Sequence, residues 1–318
     1  MASTLLYMGM TTATMVEAAT KPQYVKGIYV TGWTVDSKKF NTLINLADTT
    51  EINTFVVDVK DDSGRITPNL ERIVKRLDDH NIYSIARIVL FKDPTLAAAR
   101  PDLAVHKNGK VWVSKAKEKF MDPYSKEVWK YNIDIAKKAL AAGFDEIQWD
   151  YIRFPDTATK LQYPNGDERT RRQVISDFLK YSVKQLPGAI IGADVFGYTT
   201  SVTQNDLGIG QYWEDFEPKI DVVSPMVYPS HYYQSSFGVK HPNSEPYKVV
   251  YSALKYAIKR SGQPKKIRPW LQSFTLGKPR YEAYHIRAQI KASEELGLHE
   301  WYLWNARNVY QPDSLKPE

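Results

Sequence analysis

From Tyr24 to Trp304 the sequence repeats one pattern eight times: a short apolar run rich in β-branched and aromatic residues, then a longer segment. The apolar runs are Val25–Trp33, Thr54–Val59, Tyr83–Phe91, Glu146–Asp150, Ala189–Phe196, Asp221–Tyr228, Ile267–Phe274 and Glu300–Trp304. Helical spacing fills most of the gaps, at Lys38–Ala47, Leu70–His80, Lys126–Ala142, Thr170–Gln185, Pro246–Ser261 and Tyr281–Leu296. Several of these end in a helix-stop signal: Gly143, Pro187-Gly188, Gly262 and Gly297. The link Thr200–Lys219 has the least clear pattern. Apolar strands alternating with helices argue for parallel pairing. Eight such units predict closure into an α/β fold, a single-domain (β/α)8 TIM barrel spanning residues 24–311. An open doubly wound sheet would carry a Gly-rich phosphate turn after an early strand, and no G-x-G-x-x-G or P-loop is present.

The bulk numbers agree with one large core. The chain has 318 residues and is 43% hydrophobic. It has no cysteine, which excludes disulfides and thiolate chemistry. The net charge is +7, but basic residues are scattered and interleaved with acids, and no nucleic-acid-binding motif accompanies them. No nucleic-acid partner is expected. Scattered surface charge is the better reading, and electrostatic association with an anionic cell-wall polymer stays open beside it. Residues 1–23 read as a signal-peptide remnant or a disordered tail: Leu5–Met10 is apolar, and Val16-Glu17-Ala18 offers a small-residue cleavage site. An extracytoplasmic location follows as an expectation. Residues 312–318 read as a C-terminal tail.

In a parallel barrel, polar residues at strand C-terminal ends converge on one mouth. The fourth run is the most informative. Ile147 and Trp149 alternate with Gln148 and Asp150, and Arg153 and Pro155 follow. A carboxylate in that place is costly to bury unless something pairs or uses it. The other strand ends supply Trp33, Asp58, Lys60, Asp61, Arg87, Asp194, Tyr228, His231, Trp270, Gln272, Trp304 and Asn305. Aromatic faces stack on pyranose C–H surfaces, while carboxylates and amides bind hydroxyls, so the set suits a sugar. Glycosidic hydrolysis uses two carboxyl groups, roughly 5 Å apart for retention of configuration and roughly 6.5–9.5 Å apart for inversion. Asp150 and Asp194 end adjacent strands, which lie roughly 4.8 Å apart. They are the expected catalytic pair, Asp150 as nucleophile and Asp194 as general acid/base, with Arg87 or Arg153 keeping one carboxylate ionised. Exchanged roles, and a pair that includes Asp58, stay open at this level. Any one of these residues alone fits a structural ion pair equally well; the group of four acids (Asp58, Asp61, Asp150, Asp194) is the stronger signal. The remaining candidates are read as substrate-binding.

Phe120-Met121-Asp122-Pro123-Tyr124, the run Gly143–Pro155, Ala193-Asp194-Val195-Phe196-Gly197 and Ser224–Tyr232 resemble a bacterial family of glycoside hydrolase-like barrels distantly similar to the α-amylase clan. The resemblance spans roughly Tyr24 to Tyr310 and implies a barrel and a carbohydrate substrate. Glu146 stands where that group usually has glycine. The clan has Glu on strand five and Arg two residues before the strand-four Asp, where this chain has Asp194 and Gln148. The fourth strand is also similar to that of chitinases, but their catalytic Glu position is Ile152 here, which argues against substrate-assisted N-acetyl chemistry.

The expected function is therefore a glycoside hydrolase on a polysaccharide of cell wall, capsule or biofilm type. No cofactor and no metal are expected, since no H-E-x-x-H or H-x-H spacing occurs. Three rivals stand beside it. One is a non-catalytic sugar-binding barrel, favoured by the missing strand-five Glu. Another is a metal-dependent deacetylase or phosphoesterase using Asp58, Asp61 and His231. The last is a basic wall-anchored scaffold.

Overall fold

The computed structural model describes residues 21–317. The expected export segment therefore lies outside the described residues, apart from residues 21–23. Eight parallel strands close into a barrel: β1 (Lys26–Val30), β2 (Thr54–Lys60), β3 (Tyr83–Val89), β4 (Glu146–Asp150), β5 (Ile190–Phe196), β6 (Val222–Met226), β7 (Trp270–Gln272) and β8 (Trp301–Trp304). Each pairs with its sequence neighbours, and β1 pairs with β8 to close the ring. All eight fall within or beside the apolar runs read from the sequence.

The helices are α1 (Lys38–Ala47), α2 (Leu70–Asp78), α3 (Pro94–Ala99), α4 (Lys126–Ala141), α5 (Arg171–Gln185), α6 (Trp213–Phe216), α7 (Pro246–Arg260) and α8 (Ala283–Glu294). Caps set their ends. Thr170 and Gln173 form a capping box that starts α5, and the Ser125 hydroxyl accepts from Val128 N at the start of α4. Gly143 follows α4 at φ +103°, a conformation that L side chains rarely adopt. The unclear link between β5 and β6 holds only a 3-10 turn and the four-residue α6.

Strand alternation sorts the side chains. Outward from β4, Trp149 packs edge-on against Phe178 of α5 at 5.3 Å, and its indole N–H donates to Ser182 Oγ at 2.8 Å. Burying each such aromatic contributes about 2–3 kcal/mol. Inward, the strand N-terminal ends meet in a closed polar layer. Arg268 donates to Glu146 and Glu300 at 2.8 Å each, and Tyr83 donates to Glu146 at 3.0 Å. This layer satisfies the buried charges at the barrel floor, so the open chemistry lies at the other end.

Two loops build one wall of the mouth. A short hairpin (His106–Lys107 with Lys110–Val111) follows β3, and His106 pairs with Gln162 in the loop after β4. Buried Asp122 pins that same loop by accepting from Asn165 N at 2.7 Å. Near the C-terminal end, Glu51 N donates to Lys316 O at 2.9 Å. Among the described residues no helix is long and apolar enough to cross a membrane.

Candidate active site

Above the floor layer, the strand ends place Asp58 (β2), Arg87 (β3), Gln148 and Asp150 (β4), Asp194 (β5), Trp270 (β7) and Trp304 (β8) together, with Tyr228 just beyond β6. Arg87 is the hub. Its Nε donates to Asp150 Oδ2 at 3.1 Å, its Nη2 bonds the same oxygen, and its Nη1 bonds Asp58 Oδ1. The guanidinium also lies 5.0 Å from the Trp304 ring and 5.3 Å from the Tyr29 ring. Tyr29 donates to Asp58 Oδ2 at 2.6 Å and stacks on Trp304 at 3.8 Å. Arg87 is thus the cation paired with both Asp58 and Asp150.

Asp194 is held differently. Gln148 Nε2 and Trp270 Nε1, the latter at 2.6 Å, both donate to Oδ1. An oxygen that accepts two N–H bonds is a poor place for an acid proton, which leaves Oδ2 as the oxygen suited to carry one. Burial raises the Asp194 pKa well above the ordinary carboxylate value; repulsion from Asp150 adds to this, and Arg87 and the two donors only partly oppose it. The charge balance explains the outcome. The Arg87 guanidinium bonds Asp150 and Asp58, while the donors to Asp194 are the neutral Gln148 amide and Trp270 indole, so the burial cost of an Asp194 charge is offset less. Asp58 is raised to about 6, again chiefly by burial.

The backbone aims Asp150. Tyr151 follows it at φ +49°, a left-handed conformation uncommon for a residue with a Cβ, and turns its N–H back onto Asp150 Oδ1. Tyr228 is 5% exposed, feels the charges of Asp194 and Asp150, and its hydroxyl makes no hydrogen bond within the described residues. A buried hydroxyl without a partner beside two carboxyl groups is suited to receive a ligand atom.

The other expected residues divide. Trp33 stands on the rim, 65% exposed, with the Arg65 guanidinium against its ring. His231 is on the rim beside Tyr228 and Phe274, and burial of its ring lowers its pKa. Arg153 is buried in a box of Phe120, Tyr151 and Phe196 and donates to Phe154 O at 3.1 Å. Gln272 and Asn305 brace loops: Gln272 accepts from Ser230 N at 3.0 Å, and Asn305 donates to Ser273 O at 2.6 Å. Asp61 folds back on its own turn, accepting from Ser63 N and Arg65 N. Lys60 is a correction to the expected mouth. A register irregularity between Asp58 and Lys60 turns it to the outer side of β2, where it bonds Asp93 Oδ2 at 2.9 Å and Asn132 Oδ1 of α4 at 2.7 Å. Asp58, Asp61 and His231 do not come together. Among the described residues no group of three or more His, Cys, Asp or Glu is placed to hold a metal. Sequence reasoning missed Tyr29, although alternation along β1 places it inward.

Comparison with known proteins extends this geometry. A hypothetical protein from Ruminiclostridium thermocellum ATCC 27405 is 40% identical over 53% of this chain and 97% of its own, with a TM-score of 0.50. The glycoside hydrolase domain of PgaB (BpsB) from Bordetella bronchiseptica is similar at 13% identity and a TM-score of 0.67, over 89% of this chain and 94% of that one. The glycoside hydrolase domain of PelA from Pseudomonas aeruginosa is similar at 12% identity and a TM-score of 0.55, over 91% and 97%. At such identities the last two likenesses establish the barrel. No curated protein sequence matches the chain. Residues 27–310 match the family described as "Putative glycosyl hydrolase domain", and the chain belongs to that family.

Proposed function

We propose that this chain is a retaining glycoside hydrolase acting on a polysaccharide of cell-wall, capsule or biofilm type, outside the cytoplasm. The observation that carries the reading is the unequal treatment of two neighbouring carboxyl groups. Asp150 is paired with a guanidinium, whereas Asp194 is bonded by neutral donors and burial raises its pKa well above the ordinary carboxylate value. Environments that drive two titratable groups apart assign acid and nucleophile.

In the first step Asp194 gives its Oδ2 proton to the glycosidic oxygen as the C1–O bond breaks. The Asp150 carboxylate forms a bond to C1, giving a glycosyl ester. In the second step Asp194, now ionised, takes a proton from water, the water oxygen attacks C1, and Asp150 leaves as carboxylate. Arg87 fixes Asp150 throughout, and the free Tyr228 hydroxyl supplies a hydrogen bond to the sugar. Rigid donors around both carboxyls mean that little reorganisation is needed during reaction.

The test is the anomeric configuration of the first product from a polymer the protein cleaves, read by NMR before mutarotation. Retention is expected. Inversion contradicts the covalent step, and no cleavage of any polymer with binding intact favours a sugar-binding barrel instead.

A further inference from the structure

The exposed large apolar side chains around the mouth include two aromatics, Trp33 and Tyr233, at 65% and 80% exposure. Both are held rather than loose. The Arg65 guanidinium lies 3.1 Å from the centre of the Trp33 ring and backs it from the loop after β2. Tyr233 N donates to Tyr198 Oη at 2.6 Å, and the Tyr233 and Tyr198 rings lie 5.6 Å apart. Tyr198 in turn packs on buried Tyr232 and shares a hydrogen bond with Ser236. Ser235 and Phe237 both take left-handed backbone conformations in the same loop, and Phe237 packs on Tyr232 and Tyr256. A loop that tolerates two such residues while presenting one ring to solvent is shaped for that ring.

The two platforms lie far apart. Trp33 follows β1, Tyr198 follows β5, and β1 and β5 are opposite each other in the closed order. Eight strands spaced at about 4.8 Å and tilted by about 36° make a barrel about 15 Å across. That span exceeds one pyranose, and the carboxyl groups reach inward across it: Asp194 meets Trp270 of β7, and Asp150 meets Arg87 of β3. Two exposed rings on well-separated loops suit a chain that runs across the mouth better than one whose end is capped there.

We propose that the mouth is a through-groove holding an internal stretch of a pyranose polymer. Trp33 and the Tyr233–Tyr198 pair are stacking subsites on opposite sides of the carboxylate pair, and cleavage is endo. The cleavage half rests on the hydrolase reading above; the binding half does not.

The experiment uses affinity electrophoresis of the full chain carrying Asp150→Asn through gels containing partly N-acetylated chitosan, alginate, soluble α-1,4-glucan or solubilised peptidoglycan. Trp33→Ala and Tyr233→Ala are added singly and together. Both side chains are exposed, so folding is expected to survive, and circular dichroism checks it. Each substitution is expected to weaken retention in the retarding gel about tenfold, and the pair more than either. In parallel, wild-type protein on that polymer should lower viscosity ahead of reducing-end release. Release of single sugars from one end, or retention unchanged by both substitutions, overturns the groove and leaves the carboxylate assignment standing. Retention that depends on both rings without any cleavage upholds the groove and removes the hydrolase. Retention in none of the gels overturns the groove.

Discussion

Trp270→Phe separates an acid role for Asp194 from a structural one. The substitution keeps an aromatic ring against Tyr302 and Trp304, which lie 4.5 and 5.4 Å from Trp270, but removes the indole N–H that bonds Asp194 Oδ1 at 2.6 Å. That bond favours the ionised form. A hydrogen bond to a charged group contributes about 1.5–3 kcal/mol and one to a neutral group about 0.5–1.5 kcal/mol. The differential loss of about 1–1.5 kcal/mol corresponds to about one pH unit. The sign follows directly: with less support for the carboxylate, the Asp194 pKa rises further. As general acid Asp194 must be protonated, so the alkaline limb of the kcat/KM profile should move up by about one unit. Gln148→Leu should move it the same way, because the Gln148 amide also bonds that oxygen. The assay is reducing-end release across pH on a cleaved polymer, with folding checked at each pH. An alkaline limb that stays put or moves down refutes the assignment of the proton to Asp194.

Asp194→Asn should abolish cleavage yet stabilise the fold at neutral pH. The raised pKa means the native state keeps a proton that the unfolded chain releases near pH 4, so wild-type stability falls as pH rises from there towards the folded-state value. The gap in melting temperature between the Asn variant and wild type should therefore widen from pH 4 to pH 8; a gap that closes contradicts it. Arg87→Met should cost about 3–5 kcal/mol in urea unfolding, because it strands Asp58 and Asp150 without their cation, whereas a near-neutral change would show the pairing to be dispensable. Gly192→Ala would place a Cβ 2.3 Å from Gln148 Oε1. It should cost about 1–3 kcal/mol and lower kcat as Gln148 is pushed off Asp194, and unchanged kcat would show that Gln148 positions nothing.

Much of this was legible in the sequence because strands and helices carry different periods. Ile147 and Trp149 packing outward while Gln148 and Asp150 face inward followed from alternation alone. The convergence of Asp58, Arg87, Asp150 and Asp194 followed from the rule that strand ends share one mouth. Lys60 was misplaced for a definite reason: one irregularity in β2 reverses its side, and such a bulge leaves no mark in the residue types. Asp61 looked like a fourth acid, but its short side chain is taken up by its own turn, a local preference that competes with any shared site. Trp270 and Gln148 were expected to meet substrate. Both bond Asp194 Oδ1, a contact the sequence could not show because it depends on which atom reaches which oxygen.

The most direct test of the central claim is reducing-end release from a panel of bacterial polysaccharides by wild type, Asp150→Asn and Asp194→Asn. Release by wild type that both folded variants lose is the predicted result. Release that survives in Asp150→Asn, or no release by wild type from any polymer it binds, contradicts the assignment of this carboxylate pair to glycosidic cleavage.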